Sequence, residues 1–343
     1  MSTRPCLSAL IVAFALALGG AVGAAAAQPP PTPGLAELTR ARCAGMDTQI
    51  AAFQRRFIAP MQRWSRTELA DLKSREVLYL FSGPDIVTAL AMFPDATGFT
   101  LVADQVPEYQ LLAQVETPSA EQISRECGMN AFFARTGFYR TRDLIGSKGT
   151  SPRFLQLLLY SIAFSGATVQ EASLISVSSD GRIAVLDPRD HRDARGVRFI
   201  VRRADGRPAR IDYLAMDLSN HGMAKAQSDL GLLRRLNSGT MFLKSASHLL
   251  QSVNFTMLAK VLSAAPAPAV VQDETGFGID RLHRDYEITR YGAFTKAQRI
   301  WEDRPSARAL AEDFAKNPPK SGLPFRIGYE KESGSVLLVA RRR

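Results

Sequence analysis

The feature that most constrains the fold is the continuous stretch at residues 76–104, EVLYLFSGPDIVTALAMFPDATGFTLVAD. Its two ends, residues 77–81 and 99–103, are unbroken apolar runs, which are typical of strands buried on both faces of a sheet. Between them, residues 82–85 predict a turn and residues 86–92 predict a short apolar helix. A strand, a helix and a strand in this order predict two parallel strands joined by a right-handed crossover.

The rest of the chain continues the mixture of helical and strand patterns. Apolar residues at helical spacing predict an N-terminal helical cap over residues 35–75, as two helices separated at Pro60. The remaining expected helices are residues 152–164, 227–236 and 255–262, and the remaining expected strands are residues 172–177, 183–186, 197–202, 210–216, 240–244 and 269–272. Residues 286–315 have a mixed pattern that is partly helical, and residues 325–330 and 335–340 predict a closing hairpin. We therefore expect a single α/β domain over residues 35–343, with a β-rich insertion at residues 172–216.

The beginning of the chain has the pattern of a secretory signal peptide. Arg4 precedes an uncharged apolar run at residues 7–18, and small residues follow as far as Ala27. We expect residues 1–27 to be removed on export to the periplasm or the medium, and residues 28–34 (QPPPTPG) to form an extended linker. The alternative is an uncleaved N-terminal anchor, against which the weakly apolar Gly- and Ala-rich half of the segment argues. After cleavage no transmembrane segment is expected.

Export would leave two cysteines in the mature chain, Cys43 and Cys127, because Cys6 lies before the cleavage site. In an oxidising compartment a disulfide between them is the default expectation, and two separate buried thiols are the alternative. A disulfide that closes such a long loop would stabilise the fold by roughly 4–5 kcal/mol in the chain-entropy model. No Cys and His spacing matches a metal site, so no metal is expected.

The charge of the chain bears on its partners. The formal net charge is +10, and 46% of the residues are apolar, which is enough for a full core. A basic balance favours anionic partners, such as an envelope component, or a small anionic molecule. The arginines are scattered along the chain and form no stripe, so no nucleic-acid partner is expected. We expect the protein to be a monomer.

The stretch at residues 76–104 resembles the first β-α-β unit of class I methyltransferases. In that family a strand leads into a Gly-rich turn, then a helix, then a strand whose last acid holds the cofactor ribose. Here Ser82, Gly83, Pro84 and Asp85 occupy the turn, and Asp104 occupies the acid position. The predicted closing hairpin resembles the family's terminal antiparallel hairpin. The resemblance implies a Rossmann-like three-layer sandwich with a mostly parallel sheet. A similar strand-SGPD-helix unit occurs in uncharacterised secreted bacterial proteins, which implies no particular chemistry.

The turn departs from the family pattern in a way that bears on the cofactor. The family turn carries several glycines, which allow the backbone to approach the ligand closely. This chain has only Gly83 there, followed by Pro84 and Asp85. Asp85 has a sufficient structural role as the N-cap of the following helix. We therefore expect a degenerate cofactor loop and no cofactor.

Candidate ligand-binding residues follow the expected strands, because ligands of open parallel sheets bind at the carboxyl ends of the strands. The set is Ser82, Gly83, Asp104, Asp217, Lys244 and Asp273, with the neighbouring Ser219, Ser245, Ser247, Glu274 and Thr275. The alternative is that turn and cap chemistry accounts for each of them.

Lys244 is the most informative member of this set. At the end of an apolar strand it either reaches solvent or pairs with Asp104, Asp217 or Asp273. Near Ser82 it could activate the hydroxyl as a nucleophile. The candidate catalytic residues are therefore Ser82, Asp85, Lys244 and His221.

These observations leave the reaction open, and whether the protein is an enzyme is not decided. We expect a non-catalytic ligand- or envelope-binding protein on a degenerate methyltransferase-like scaffold. The alternative is an exported hydrolase or transferase with its site at the carboxyl ends of the parallel strands.

Overall fold

The computed structural model describes residues 45–72, 75–104, 120–139, 154–187, 194–264, 266–294, 305–328 and 335–343. Within these ranges the protein is of the α/β class, with one mixed sheet of ten strands. The strands are β1 (Glu76–Leu80), β2 (Gly98–Asp104), β3 (Thr168–Val177), β4 (Ile183–Val185), β5 (Gly196–Arg202), β6 (Pro208–Met216), β7 (Thr240–Leu243), β8 (Ala269–Gln272), β9 (Tyr286–Gly292) and β10 (Val336–Arg342). The α-helices are α1 (Met46–Phe53), α2 (Ala59–Glu68), α3 (Ile86–Met92), α4 (Ala120–Thr136), α5 (Phe154–Phe164), α6 (Asn220–Lys225), α7 (Gln227–Leu236), α8 (Thr256–Ala264), α9 (Ile279–Asp285) and α10 (Pro305–Lys316). Two short 3₁₀ helices, Ser245–Gln251 and Val253–Phe255, precede α8.

The strands lie in the order β4-β3-β5-β6-β2-β1-β7-β8-β10-β9. The five central strands, from β6 to β8, are parallel to one another. Beyond the central strands each neighbouring pair is antiparallel, through β5, β3 and β4 on the side of β6 and through β10 and β9 on the side of β8. Among the parallel strands, β2 lies beside β1 and β6 lies beyond β2 on the same side. The next parallel strand along the chain, β7, lies on the other side of β1. The strand order therefore reverses between β1 and β7.

The alternating side chains of β1 explain why helices cover both faces of the sheet. Val77 and Tyr79 pack into one buried apolar cluster, which also contains side chains of α1 to α5. Leu78 and Leu80 pack into the other, which contains side chains of α6 to α10. Because successive residues of a strand point to opposite faces, a continuous apolar run is what a strand between two helical layers requires. Each fully buried side chain of this size stabilises the fold by roughly 1.5–3 kcal/mol.

The expected break at Pro60 is wrong. Residues 46–68 are helical throughout, and a five-residue π-helical segment, Gln54–Ile58, joins α1 to α2. A proline inside a helix lacks an N–H and crowds the carbonyl of the preceding turn. Widening that turn removes the crowding, and the Ala59 N–H accordingly bonds to the carbonyl of Gln54, five residues back.

The expected closing hairpin is not confirmed. The last strand, β10, does not pair with residues 325–328, which have no strand structure; it lies between β8 and β9 and is antiparallel to both. The segment expected to be mixed at residues 286–315 contains the missing partner, β9, followed by α10. The hairpin at residues 197–216 is confirmed as β5 and β6.

A charged cluster attaches α10 to the edge of the sheet. The Arg290 guanidinium, from β9, donates to both carboxylate oxygens of Asp313 on α10, and the His283 Nε2 lies 2.9 Å from Asp313 Oδ1. Burial acts to raise the pKa of Asp313, but the hydrogen bonds from Arg290 and His283 outweigh it and hold that pKa below its ordinary value of 3.8. This carboxylate therefore contributes to stability in its ionised form.

The expected signal peptide (residues 1–27), the linker (residues 28–34) and Cys43 lie outside the described residues. Cys127 lies on α4, where its side chain packs against the first apolar cluster. The Cys43–Cys127 disulfide therefore stays a prediction. No helix in the described part of the chain is both long enough and apolar enough to cross a membrane.

Candidate functional site

A buried ion pair lies where the strand order reverses. Lys244, directly after β7, places its Nζ 2.5 Å from Oδ2 of Asp85, in the turn after β1. Lys244 Nζ also donates to the carbonyl of Gly137 at 3.2 Å, and Tyr79 Oη donates to the Asp85 carboxylate at 3.0–3.1 Å. The side chains of Lys244 and Asp85 are only 1% and 6% exposed. The ion pair therefore joins the two turns that flank the reversal point.

This pairing corrects two expectations. Lys244 neither reaches solvent nor pairs with Asp104, Asp217 or Asp273; its acidic partner is Asp85. The side chain of Asp85 does not cap α3 either, because it faces Lys244 and Tyr79.

The amino terminus of α3 is satisfied by other groups. The Val87 N–H donates to Ser161 Oγ of α5 at 3.0 Å, and the Thr88 N–H donates to the carbonyl of Asp85 at 3.2 Å. A side chain from the neighbouring helix thus takes the role expected of Asp85.

Tyr139 closes the cluster on the side of α4. Its hydroxyl donates to Oδ1 of the fully buried Asn130 at 2.8 Å, and its ring stacks on Phe133 with 4.5 Å between centroids. Burial, followed by the negative charge of Asp85, raises the pKa of Tyr139 well above its ordinary value of 10.0. The environment of Tyr139 therefore favours the neutral form of its hydroxyl.

Asp273 connects the turns after β7 and β8. Its carboxylate accepts hydrogen bonds from the Ser245 N–H at 2.7 Å, the Thr275 N–H at 2.9 Å and Thr275 Oγ1 at 2.5 Å. Burial raises the pKa of Asp273, while these hydrogen bonds and the charge of Lys244 oppose that rise. Gly328 lies against the same carboxylate with φ +73°, and a Cβ at Gly328 would come within 2.7 Å of Asp273 Oδ2. Asp273 thus links the turns after β7 and β8 by hydrogen bonds, and Gly328 packs closely against it.

Two serine hydroxyls remain beside this cluster. Ser82 is 4% exposed and Ser245 is 9% exposed, and neither Oγ has a hydrogen-bond partner among the described residues. Each serine lies in a turn with left-handed backbone, at Phe81 (φ 52°) and at Ser245 itself (φ 60°). Non-glycine residues in this region are strained, and such residues concentrate at binding and catalytic sites.

Asp104 and Asp217 form a separate acidic pair at the ends of β2 and β6. Asp104 is open to solvent, and its Oδ1 accepts from the Leu218 N–H at 3.0 Å. Desolvation by the surrounding protein, together with the charge of Asp217, raises the pKa of Asp104 despite that hydrogen bond. Asp217 Oδ1 accepts from the Ser219 N–H at 3.0 Å.

The structure therefore brings Ser82, Asp85, Lys244 and Asp273 to one end of the sheet, as expected. Gly83 lies in the same turn as Ser82, while His221 is exposed on α6 and is not among the hydrogen-bond partners that the described ranges show for the ion pair. The sequence analysis missed Tyr79, Tyr139, Asn130, Ser161 and the Gly137 carbonyl. Only Tyr79 carried a signal in the sequence, as the one residue with a polar tip in the apolar run at residues 77–81.

The hydrogen bonds of Lys244 bear on the expectation that this lysine activates the hydroxyl of Ser82. The contacts of Lys244 Nζ are with Asp85 and the Gly137 carbonyl, and none of its hydrogen bonds within the described ranges is to Ser82. In the part of the chain that the structure covers, no three His, Cys, Asp or Glu side chains come together in a way that could hold a metal ion.

Comparisons with family models, with curated proteins and with solved structures found no match to this chain.

Proposed function

We propose that the protein is an exported, non-catalytic binding protein on a methyltransferase-like scaffold. Its ligand would lie at the carboxyl ends of β1, β2 and β7. The order of the parallel strands supports the scaffold, since β6-β2-β1-β7-β8 corresponds to third, second, first, fourth and fifth along the chain, as in Rossmann-like sheets. The antiparallel β10, inserted between β8 and β9, supports the likeness to the terminal antiparallel strands of that family.

The position of the site follows from this strand order. In open sheets of this kind, ligands bind in the crevice where the order reverses, outside the carboxyl ends of the strands. In this protein that point lies between β1 and β7, whose following turns carry Ser82 and Ser245.

The observation that carries the non-catalytic proposal is the buried ion pair between Lys244 and Asp85. A general acid or base must reach a reacting group and exchange a proton with it. Here the ammonium and the carboxylate neutralise each other and bond further to Tyr79 and Gly137. The Asp273 carboxylate is likewise engaged by backbone and hydroxyl donors. The titratable groups at the reversal point thus serve to hold the turns together.

The groups left for a ligand are polar and small. The Oγ atoms of Ser82 and Ser245 are buried and have no hydrogen-bond partner among the described residues, so each can still donate and accept a hydrogen bond, and the solvent-exposed Asp104 offers an acceptor. This set suits a small ligand with hydroxyl groups. The single Gly83, followed by Pro84, leaves less room for the close backbone approach that a methyltransferase cofactor requires.

Calorimetric titration of the mature protein with S-adenosylmethionine, adenosine and glucose tests this proposal. We expect no binding of S-adenosylmethionine, and binding of a hydroxylated probe that is weakened in the Ser82→Ala/Ser245→Ala variant. The matched control is Ser263→Ala, an exposed serine on α8. Tight binding of S-adenosylmethionine, or transfer of its methyl group, would contradict the non-catalytic role. Failure of every probe to bind would contradict the site.

Export is tested separately. A fusion of residues 1–35 to a reporter that is active only in the periplasm is expected to give activity. A silent fusion would contradict the expected location.

A further inference from the structure

A cavity of about 570 Å³ lies at the opposite end of the sheet, away from the ion pair. It is bounded by the end of α7 and the residues before β7, by the segment that enters β8, and by the end of β10. Its lining includes Arg234, Pro266, Pro268, Arg342 and Arg343, and within the described part of the chain it includes no carboxylate side chain. A cavity at the amino ends of the parallel strands is distinct from the site proposed above.

Arg234, Arg342 and Arg343 line one cavity, and none of them has an acidic partner among the described residues. Arg341 pairs with Asp71, and Arg290 pairs with Asp313. By contrast, Arg234, Arg342 and Arg343 are exposed and form no ion pair within the described ranges. The only side-chain hydrogen bond that these ranges show for them runs from Arg342 to the carbonyl of Pro266 at 3.3 Å. Most of their guanidinium N–H donors therefore remain open to a ligand.

The backbone fixes two of these arginines in place. The Arg342 N–H donates to the carbonyl of Pro268 at 3.0 Å, which extends the pairing of β10 with β8 by one residue. The Arg343 N–H donates to the carbonyl of Asp285 at 3.2 Å. Arg234 lies in the last turn of α7, where a cation is favoured by the helix dipole in any case. That explanation does not extend to Arg342 and Arg343, which lie at the end of a strand.

We propose that this cavity binds a phosphate-bearing ligand. Guanidinium groups bind phosphate oxygens through paired, charge-assisted hydrogen bonds, and several arginines around one cavity repel one another until an anion neutralises them. The volume is within the range of cavities that hold organic ligands, so the phosphate is attached to an organic group. Pro266 and Pro268 provide an apolar wall for that group. The same chemistry is offered by a soluble phosphate ester and by the headgroup of an anionic phospholipid.

The test compares two double variants of the mature protein that each remove two positive charges. Arg234→Ala/Arg342→Ala removes cavity arginines, while Arg55→Ala/Arg308→Ala removes two exposed arginines elsewhere, for which the described ranges likewise show no ion pair. Binding of glycerol 3-phosphate, with glycerol as the uncharged reference, is measured by calorimetry at low ionic strength. Co-sedimentation with phosphatidylcholine vesicles, with and without phosphatidylglycerol, tests the lipid source.

We expect the unchanged protein to bind the phosphate probe or the phosphatidylglycerol vesicles, and not glycerol or phosphatidylcholine alone. Affinity should fall at least about tenfold in the cavity variant and by less than about twofold in the control. Binding to the soluble ester alone identifies a soluble ligand, and dependence on phosphatidylglycerol identifies a lipid. The proposal is overturned if neither probe binds at about 10 mM phosphate, a concentration well above a millimolar Kd, or if both variants lose affinity equally. Thermal unfolding of both variants confirms that they are folded.

Discussion

Replacing Lys244 with methionine removes the cation that neutralises Asp85 inside the protein. Methionine has a similar unbranched stem, so the loss of packing is small. The Asp85 carboxylate, whose side chain is 6% exposed, keeps the hydrogen bond from Tyr79 but loses its counter-charge. Removing one partner of a buried ion pair costs about 3–5 kcal/mol because the other charge is left uncompensated. We therefore expect Lys244→Met to lower Tm by on the order of 10 °C.

The double variant Asp85→Asn/Lys244→Met separates the loss of charge from the loss of shape. Both charges are then absent, and the amide that replaces the carboxylate of Asp85 can still accept a hydrogen bond from Tyr79. Replacing both members of a buried ion pair by uncharged residues often changes stability little. We therefore expect this variant to regain most of the free energy of unfolding that Lys244→Met loses. The coupling energy between the two positions should be about 2 kcal/mol or more.

Urea and thermal unfolding, followed by far-UV circular dichroism, measure these changes. Lys260→Met, at an exposed position on α8, is the control and should change the free energy of unfolding by less than about 0.5 kcal/mol. If Lys244→Met lies within about 1 kcal/mol of the unchanged protein, the pair is not a buried ionic link. If the double variant loses the sum of the two single losses, the residues are not coupled, and the structural role given to the ion pair is refuted.

Three further predictions concern the acid range, one glycine and the expected export. The pKa of Asp313 is lowered in the folded protein, so its ionised carboxylate contributes fully to stability above its ordinary pKa of 3.8 and loses that contribution as the pH falls through the folded-state pKa. The Asp313→Asn variant should therefore lose less free energy of unfolding on acidification than the unchanged protein. An equal loss in the two proteins would contradict this. Gly328→Ala places a methyl group against Asp273, and Gly206→Ala, at a similar φ, places one in open space. In chemical unfolding we expect Gly206→Ala to lower the free energy of unfolding by about 1 kcal/mol and Gly328→Ala to lower it by more. Equal losses would mean that backbone strain alone, and not contact with Asp273, explains the cost at Gly328. N-terminal sequencing of the exported protein should give Gln28 as its first residue. Thiol titration of the unfolded, unreduced protein should find no free thiol in the two remaining cysteines, and two free thiols would contradict the disulfide.

The β1–α3–β2 unit could be predicted from the sequence because its signal is local. Both strands are buried on both faces, so their residues are apolar in an unbroken run, and a short turn joins each strand to the helix. The edge strand β9 could not be predicted in the same way. Glu287, Thr289 and Arg290 interrupt its apolar residues, so it has no continuous apolar run. Its partner β10 follows some forty residues later, so no short turn between the two strands indicates that they pair.

The gathering of polar residues at one end of the sheet could also be predicted, but their pairing could not. The carboxyl ends of parallel strands share one edge, so the residues after β1, β7 and β8 had to lie near one another. Which acid meets Lys244 depends on the direction of each side chain within its turn. Asp85 had a plausible local role as the cap of α3. In the structure Ser161 of α5 accepts the hydrogen bond from the Val87 N–H, and the Asp85 carboxylate pairs with Lys244. A competition between a local and a distant partner is decided by packing, which a single sequence does not reveal.

The distribution of charge gives the two ends of the sheet different roles. The carboxyl ends of the parallel strands carry acids, of which Asp85 is neutralised by a lysine and Asp273 is held by donors from the turns. The amino ends carry arginines with no acidic partner at the described cavity. At the proposed phosphate site, an anionic ligand would meet guanidinium groups that have no acidic partner and, among the described residues, no carboxylate side chain in the lining. A hydroxylated ligand at the other end would meet hydroxyls and Asp104. Because the two sets of side chains share no residue, a substitution at one end should leave binding at the other unchanged, and a loss at both would indicate a change in the fold itself.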